Sequence, residues 1–398
     1  MTRLNLIVYG IISQLLEKWS DIKLMILRSW QQKIIDEYPS IIKQNKRFIL
    51  KAPTGAGKTI LASEIVERFY KEKKILVLCH RLVLLEQLER ALSKRHKVRK
   101  LSLSESGPAF NNYDILLSTN MRAKEVLEEA IRLADLIIVD EAHRVSPNGA
   151  GYKKILDDFE NYGKSDAQFM GLTASPERRT GDQRDQLNLA FDAIIDCADI
   201  ETLIEEGILV PPIYRPHFVH DLDLKSIDIS SGDFPVSKLA PAIVKSSMID
   251  YALFIYEEER KNVSPKPISA WFCPDVTVAE ATLEKIEQAG IQVAIVTANT
   301  PIAERMRLLK QHEDGEIEAM VSVGVLAEGW DNPHCNIIVH LRPTLSKVVW
   351  GQTVGRGLRS APGKEKCVVI DVSSVSYTHL RAHETSLHLV CRLRREKK

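Results

Sequence analysis

Residues 47–64 read RFILKAPTGAGKTILASE. Phe48, Ile49 and Leu50 form a short apolar run that predicts a buried strand. A glycine-bearing turn follows from Ala52 to Gly57. From Thr59 onward Ile60, Leu61, Ile65 and Phe69 recur at helical spacing. Strand, glycine turn and helix in that order are what a phosphate-cradling loop requires. Gly55 and Gly57 let backbone N–H groups converge on phosphate oxygens, and the new helix presents its positive end. Pro53, Thr54 and Ala56 complete the loop. Lys58 is placed to reach the β- and γ-phosphates, and the Thr59 hydroxyl to ligate Mg²⁺. The usual form of such a loop has Gly where Ala52 stands, but the strand before it and the helix after it are intact. The competing reading is a plain glycine turn between strand and helix.

The 398 residues suffice for two domains, and 27% charged with 44% hydrophobic residues is an ordinary globular balance. No run of eighteen apolar residues suggests a membrane span. The opening MTRLNLIVYGIISQLLEKW has an apolar patch without a small-residue cleavage site, so a signal peptide is not expected. Six scattered cysteines without a CxxC pair suit a reducing cytoplasm and show neither a zinc ribbon nor a disulfide framework. A net charge of +1 advertises no basic field, so any nucleic-acid contact must be a local groove.

Both ends stand apart. Residues 376–398, SYTHLRAHETSLHLVCRLRREKK, resemble translated sequencing-adapter read-through and are expected to be an artefactual tail. Its six basic and two acidic residues leave the rest of the chain net acidic, so the tail is no argument for a nucleic-acid partner. Residues 1–24 precede the first recognisable motif and are read as an extension.

Two apolar strands carry chemistry at their carboxyl ends, where open α/β sheets bind ligands. Leu136–Val139 leads into Asp140 and Glu141. Asp140 is suited to hold Mg²⁺ through water, and Glu141 to orient and deprotonate an attacking water. An acidic pair at a strand end can also be only a helix cap. QFMGLTAS ends in Thr173, Ala174 and Ser175. Other strands run through KKILVLC before His80 and Arg81, and through Ile115–Leu117 before Ser118 and Thr119.

The second half repeats the α/β pattern. PISAWFCP, IQVAIVT, IEAMVSVGV, NIIVHLRP and CVVIDV read as strands, with a helix over 276–288. No second glycine-rich phosphate loop appears, so this domain should act on the first domain's nucleotide. WGQTVGRGLRS places Arg356 and Arg359 three residues apart on one helical face. Their guanidiniums are forked and permanently charged, which suits a γ-phosphate gaining negative charge. The bland reading is a solvated Arg-rich helix. Between the halves, residues 207–245 carry a Pro-Pro pair and are expected to bridge the domains.

With these residues in place, the chain resembles the superfamily 2 DEAD/DEAH-box helicases over residues 25 to about 375. It is most similar to the type III restriction helicase-like group of bacteria and phages. Leu27, Arg28, Trp30 and Gln31 match the segment ahead of the loop, with Ser29 in place of Pro. The resemblance makes Gln31 the adenine reader and puts Arg28 beside it; no Asn-Lys-x-Asp guanine reader is present. Asp140-Glu141-Ala142-His143 is the DEAH form of the second motif, and it implies that His143 links the site to Thr173 and Ser175 by hydrogen bonding. Gly329 and Asp331 match a motif near the ribose. Gln352, Gly355, Arg356 and Arg359 match Gln-x-x-Gly-Arg-x-x-Arg. Arg81, Thr119, Thr297 and Arg342 fall where the family grips nucleic-acid phosphates.

The implied fold is α/β: two tandem RecA-like domains (25–206 and 246–375), each a mostly parallel sheet with helices on both faces, with ATP in the cleft. The implied activity is an ATP-dependent helicase or translocase using ATP and Mg²⁺, acting on nucleic acid (DNA rather than RNA), off the membrane and as a monomer. Nuclease or repair proteins are the partners it suggests. Other classes stay open: a restriction-complex motor that does not separate strands, an ATP-gated clamp, and an RNA helicase.

Overall fold

In the computed structural model the described residues are 27–79, 89, 92–93, 96–101, 108–119, 124–145, 150–174, 183–217, 219–224, 226–229, 233–326 and 330–373. Both the extension 1–24 and the tail 376–398 lie outside them.

The first lobe begins with helix α1 (Ser29–Gln44), which buries Trp30, Gln31, Ile34, Ile35 and Tyr38. Strand β1 (Arg47–Lys51) and helix α2 (Lys58–Phe69) flank the glycine turn. Next come β2 (Ile75–Cys79), β3 (Val98–Lys100), β4 (Ile115–Thr119), α3 (Lys124–Leu133), β5 (Leu136–Asp140) and α4 (Ala150–Tyr162). The lobe closes with β6 (Gln168–Thr173), α5 (Gln183–Ala190) and β7 (Ala193–Asp196). The seven strands form one parallel sheet in the order β3-β4-β2-β5-β6-β1-β7. β2 and β4 are buried along their whole length, as expected of parallel strands covered on both faces. Alternation along β1 divides the core: Phe48 and Leu50 pack on one face, Ile49 on the other.

Register explains how distant motifs meet. Lys51 lies opposite Thr173, Asp140 opposite Leu172, and Cys79 opposite Thr119. All strands run the same way, so the loop after β1, the acidic pair after β5 and the hydroxyls after β4 and β6 share one edge of the sheet.

A short helix, α6 (Ile200–Glu205), leads to the second lobe; its N-cap Asp199 accepts a 2.8 Å bond from the Thr202 N–H. Then follow β8 (Pro212–Pro216), α7 (Val236–Lys245), α8 (Met248–Glu259), β9 (Ser269–Phe272) and α9 (Val276–Gln288). The lobe continues with β10 (Val293–Val296), α10 (Ile302–Asp314), β11 (Ala319–Ser322), β12 (Ile337–His340), α11 (Lys347–Gly357) and β13 (Cys367–Asp371). This sheet is also parallel, ordered β10-β11-β9-β12-β13-β8.

Here the stretch 207–245 differs from the sequence expectation of a bridge between domains. Its strand β8 is the edge of the second sheet and pairs in parallel with β13, Cys367 opposite Pro212. Ile227, Phe234, Leu239 and Ile243 join the second lobe's core. Prolines at both ends of β8 are tolerated because an edge strand has a ladder on one side only. Among the described residues no single helix is long and apolar enough to cross a membrane.

The segment between α6 and β8 is tied to the exit of α11: the Val210 N–H donates to the Leu358 carbonyl at 2.7 Å, and the Ser360 hydroxyl donates to the Ile208 carbonyl at 3.1 Å. One continuous apolar cluster runs from Trp30 and Ile65 through Leu203 and Leu209 to Trp350, Val354 and Leu358.

Candidate active site

The glycine turn is held from below and from one side. Its first amide, on Ala52, donates to the Thr173 carbonyl at 3.1 Å. Gly55 (φ 84°) and Gly57 (φ 97°) take left-handed conformations that a side chain would strain. Gly57 is needed for room as well, since a Cβ there would sit 2.9 Å from the Gln31 amide nitrogen. Three loop carbonyls are taken by the segment ahead of β1. Arg28 donates to Ala56 at 2.6 Å and to Gly55 at 3.3 Å, and Gln31 Nε2 donates to Gly57 at 3.0 Å. Gln31 Oε1 meanwhile accepts from the Arg28 N–H at 2.9 Å. Both ends of the Gln31 amide are thus occupied by the chain itself, and in this geometry Gln31 braces the loop.

Lys58 opens α2 and folds back to donate to the Ala52 and Pro53 carbonyls at 2.9 and 3.2 Å. Burial lowers its ammonium below the ordinary lysine value, while Glu141 and Asp140 support the charge and Arg356 and Arg359 oppose it. These five groups, from both lobes, therefore lie within electrostatic reach of one point. Thr59, next to Lys58, is exposed.

At the end of β5, Asp140 Oδ1 accepts the Glu141 N–H at 3.0 Å. Glu141 adopts a left-handed backbone (φ 53°, ψ 49°), rare for a residue with a Cβ and a form of strain found at functional sites. Its carboxylate faces His143 Nδ1 at 3.2 Å. That nitrogen is within hydrogen-bond reach of the Thr173 hydroxyl, 3.1 Å away. Burial alone would raise the Glu141 carboxyl; His143, Lys58 and Arg356 outweigh it and hold it well below the ordinary value. Gly171 lets the acidic turn settle on β6, because a Cβ there would lie 2.6 Å from the Ala142 Cβ.

The second lobe closes the site with α11, whose N-cap Ser346 accepts from the Val349 N–H at 3.3 Å. Gln352 and Arg356 are buried. Arg356 donates to the Trp330 carbonyl at 2.7 Å, and Arg359 is ion-paired with Asp331. Gly355 meets the loop so closely that a Cβ would stand 2.7 Å from the Thr54 Cβ. A Cβ on Gly55 would stand 3.0 Å from the Arg359 Cγ. The sequence motifs named Gly355 but not its contact, and nothing in sequence pointed to Leu209, which also presses on Gly55.

The phosphate-grip candidates lie apart from this cluster. Thr119 ends β4 and is nearly buried. Thr297 follows β10; its hydroxyl accepts the Asn299 N–H at 3.2 Å and Arg305 donates to its carbonyl at 3.1 Å. Arg342 follows β12 and is half-buried. Arg81, Ser175 and Gly329 lie outside the described residues.

The donor set fits a magnesium–triphosphate. A turn with two left-handed glycines, the Lys58 ammonium and the exposed Thr59 hydroxyl lie beside the Asp140 and Glu141 carboxylates. Among the described residues no three His, Cys, Asp or Glu cluster as a protein-only metal site.

Comparisons with known proteins agree with this layout. The family profile "Type III restriction enzyme, res subunit" matches residues 24–178, and "Helicase conserved C-terminal domain" matches 254–361. The Saccharomyces cerevisiae protein IRC3, by its name a candidate ATP-dependent helicase, is 27% identical over 88% of this chain and 52% of its own length. A 51.5 kDa protein of a Lactococcus phage is 27% identical over 81% of this chain and 65% of its own. The chain thus spans about half to two-thirds of these relatives. Among solved structures, a fragment of a candidate HsdR subunit of a type I restriction enzyme from Vibrio vulnificus aligns with TM-score 0.66 at 22% identity. That alignment covers 89% of this chain and 65% of the other. The Pyrococcus furiosus Hef helicase domain aligns with TM-score 0.57 at 16% identity, over 91% and 99%.

Proposed function

Because the chain belongs to the superfamily 2 helicases, in the type III restriction-like group, we propose that it hydrolyses ATP between its lobes to move along a nucleic acid. The observation that carries this is the meeting of two halves: the loop that bears Lys58 packs at Gly55 and Thr54 against Arg359 and Gly355 of the other lobe, so close that a Cβ on Gly55 would lie 3.0 Å from the Arg359 Cγ. Phosphoryl transfer mostly demands positioning and charge compensation. Lys58 leaves the Ala52 and Pro53 carbonyls for the β- and γ-phosphates. Glu141, kept ionised, orients a water and takes its proton. Arg359 exchanges Asp331 for the γ-phosphate, and Arg356 faces Glu141 across the cleft. Thr59 and Asp140 would hold Mg²⁺, which when bound would supply positive charge to the phosphate oxygens. Thr173 reads the state of Glu141 through His143 and passes it to the loop through its own carbonyl on Ala52.

DNA is the proposed track. What supports it is the match of residues 24–178 to a restriction-enzyme profile and a fold shared with the type ISP enzyme LlaBIII, whose structure is titled as bound to DNA (TM-score 0.61, 19% identity, over 86% of this chain and 27% of that one). The same profile favours a second reading, a restriction-type motor that moves without separating strands.

ATPase rates with single- and double-stranded DNA and RNA at fixed salt test the first reading. Stimulation of about tenfold or more by DNA is expected, with salt sensitivity from phosphate contacts. Hydrolysis absent under every condition contradicts it. A strand-displacement assay beside a translocation assay separates helicase from motor.

A further inference from the structure

Just beyond the arginine motif, Lys364 closes a turn in which its N–H donates to the Ala361 carbonyl at 3.0 Å. Its side chain turns inward and is only 6% exposed. The ammonium donates to three backbone carbonyls: Pro333 at 2.8 Å, Cys335 at 2.7 Å and Arg359 at 2.7 Å. An ammonium has three protons, and all three are used. Each partner is a carbonyl rather than a carboxylate, an uncommon home for a buried cation. Burial accordingly pushes its pKa below the ordinary lysine value.

The three carbonyls belong to two segments that carry the second lobe's share of the site. Pro333 and Cys335 follow Trp330 and Asp331, and the third carbonyl is that of Arg359. Above this junction, Arg356 donates to Trp330 and Arg359 pairs with Asp331. Lys364 closes the same junction from inside the lobe. Little slack exists there, because the Arg359 side chain already presses on Gly55 and Gly355 on Thr54.

Building on the proposed ATP hydrolysis, we propose that Lys364 is a positioning residue for the arginine finger: its ammonium pins the Arg359 backbone to the 333–335 loop, so that closure delivers the guanidinium to the γ-phosphate. Lys364 touches no substrate and acts through Arg359. A methionine in its place leaves three inward carbonyls unmatched and lets Arg359 drift. Misplacement of a catalytic group by about 1 Å can cost about 10²-fold in rate.

The test is a double-mutant cycle on the full chain, with Lys364→Met and Arg359→Lys alone and combined. Single-turnover hydrolysis and the affinity of a fluorescent ATP analogue are measured for each. Lys364→Met is expected to lower the hydrolysis rate about tenfold or more while analogue affinity stays within about twofold. In the Arg359→Lys background the same change should cost far less, since the group it positions is already impaired. A purely structural lysine would weaken both backgrounds equally, and that result overturns the proposal, as does an unchanged rate. If Lys364→Met does not fold, Lys364→Gln, which keeps two donors, enters the cycle under the same criteria. A wild-type protein that does not hydrolyse ATP would refute the function itself. An active wild type with an equally active Lys364→Met refutes only the role of Lys364.

Discussion

The two lobes share a plan, parallel strands between helices, yet they build their halves of the site by different means. In the first lobe backbone does the holding. Two left-handed glycines shape the loop, the Thr173 carbonyl anchors its first amide, and Arg28 and Gln31 secure its outer carbonyls. In the second lobe there is no glycine loop. Long cationic side chains reach in from α11 and its exit, steadied by Asp331, the Trp330 carbonyl and Lys364. A preformed backbone nest suits binding, while a movable guanidinium suits a charge that appears only in the transition state. The division of labour follows: first-lobe changes should damage nucleotide binding or the chemical step itself, and second-lobe changes the rate alone.

Lys58→Ala and Glu141→Gln should bring the largest losses. Lys58→Ala is expected to abolish both analogue binding and hydrolysis. Glu141→Gln should keep binding and lower kcat by about 10²–10⁴-fold, the usual worth of a general base. Steady-state ATPase beside equilibrium binding checks both. Arg359→Ala comes next, with kcat down about 10³-fold and affinity nearly intact, in line with other arginine fingers. A matching loss of affinity would erase the proposed difference between lobes.

Gly355→Val probes the contact between them. Its side chain would overlap Thr54, where even a Cβ would lie at 2.7 Å, so closure should fail. Hydrolysis is expected to fall about tenfold to 10²-fold with analogue affinity kept, and pairing it with Thr54→Ala should restore part of the rate.

Acid sharpens the contrast from the first lobe's side. The Glu141 carboxyl has an ordinary value of 4.5, and its folded value is about 2. A depressed carboxyl adds stability that is complete above the unfolded value and is lost as pH falls through the folded one. Wild type should therefore lead Glu141→Gln in Tm most clearly above pH 4.5, with the gap narrowing as pH drops toward 2. A gap that stays constant would show that the carboxylate is not held as described. The smallest effect is expected between the lobes. Asp199→Ala removes the N-cap of α6, which should cost about 1 kcal/mol in denaturant unfolding and leave kcat unchanged.

Much of this was legible in sequence, and the reasons are local. Apolar runs such as Ile75–Cys79 and Leu136–Asp140 mark buried parallel strands, and glycines before Lys58 mark the loop. The helix over 276–288 has the bounds read from sequence, and Asp275 caps its start by accepting the Val278 N–H. What stayed hidden depends on partners far along the chain. β8 looks like a proline-broken bridge until β13 pairs with it. β3 and β7 are short and only half-buried, so no apolar pattern announces them. Within the site, residue types suggested Gln31 and Arg359 but not what they touch in the chain itself: Gly57 for one, Asp331 for the other. Lys364 carries no motif at all, and only burial among three carbonyls singles it out.

The most direct measurement is a crystal structure with Mg²⁺ and a non-hydrolysable ATP analogue. The predicted result places Lys58 and the Arg359 guanidinium on the same γ-phosphate, at about 2.7–2.9 Å, with the Asp331 pair broken. A γ-phosphate held by Lys58 while both Arg356 and Arg359 stay out of reach in a closed cleft would contradict the shared site.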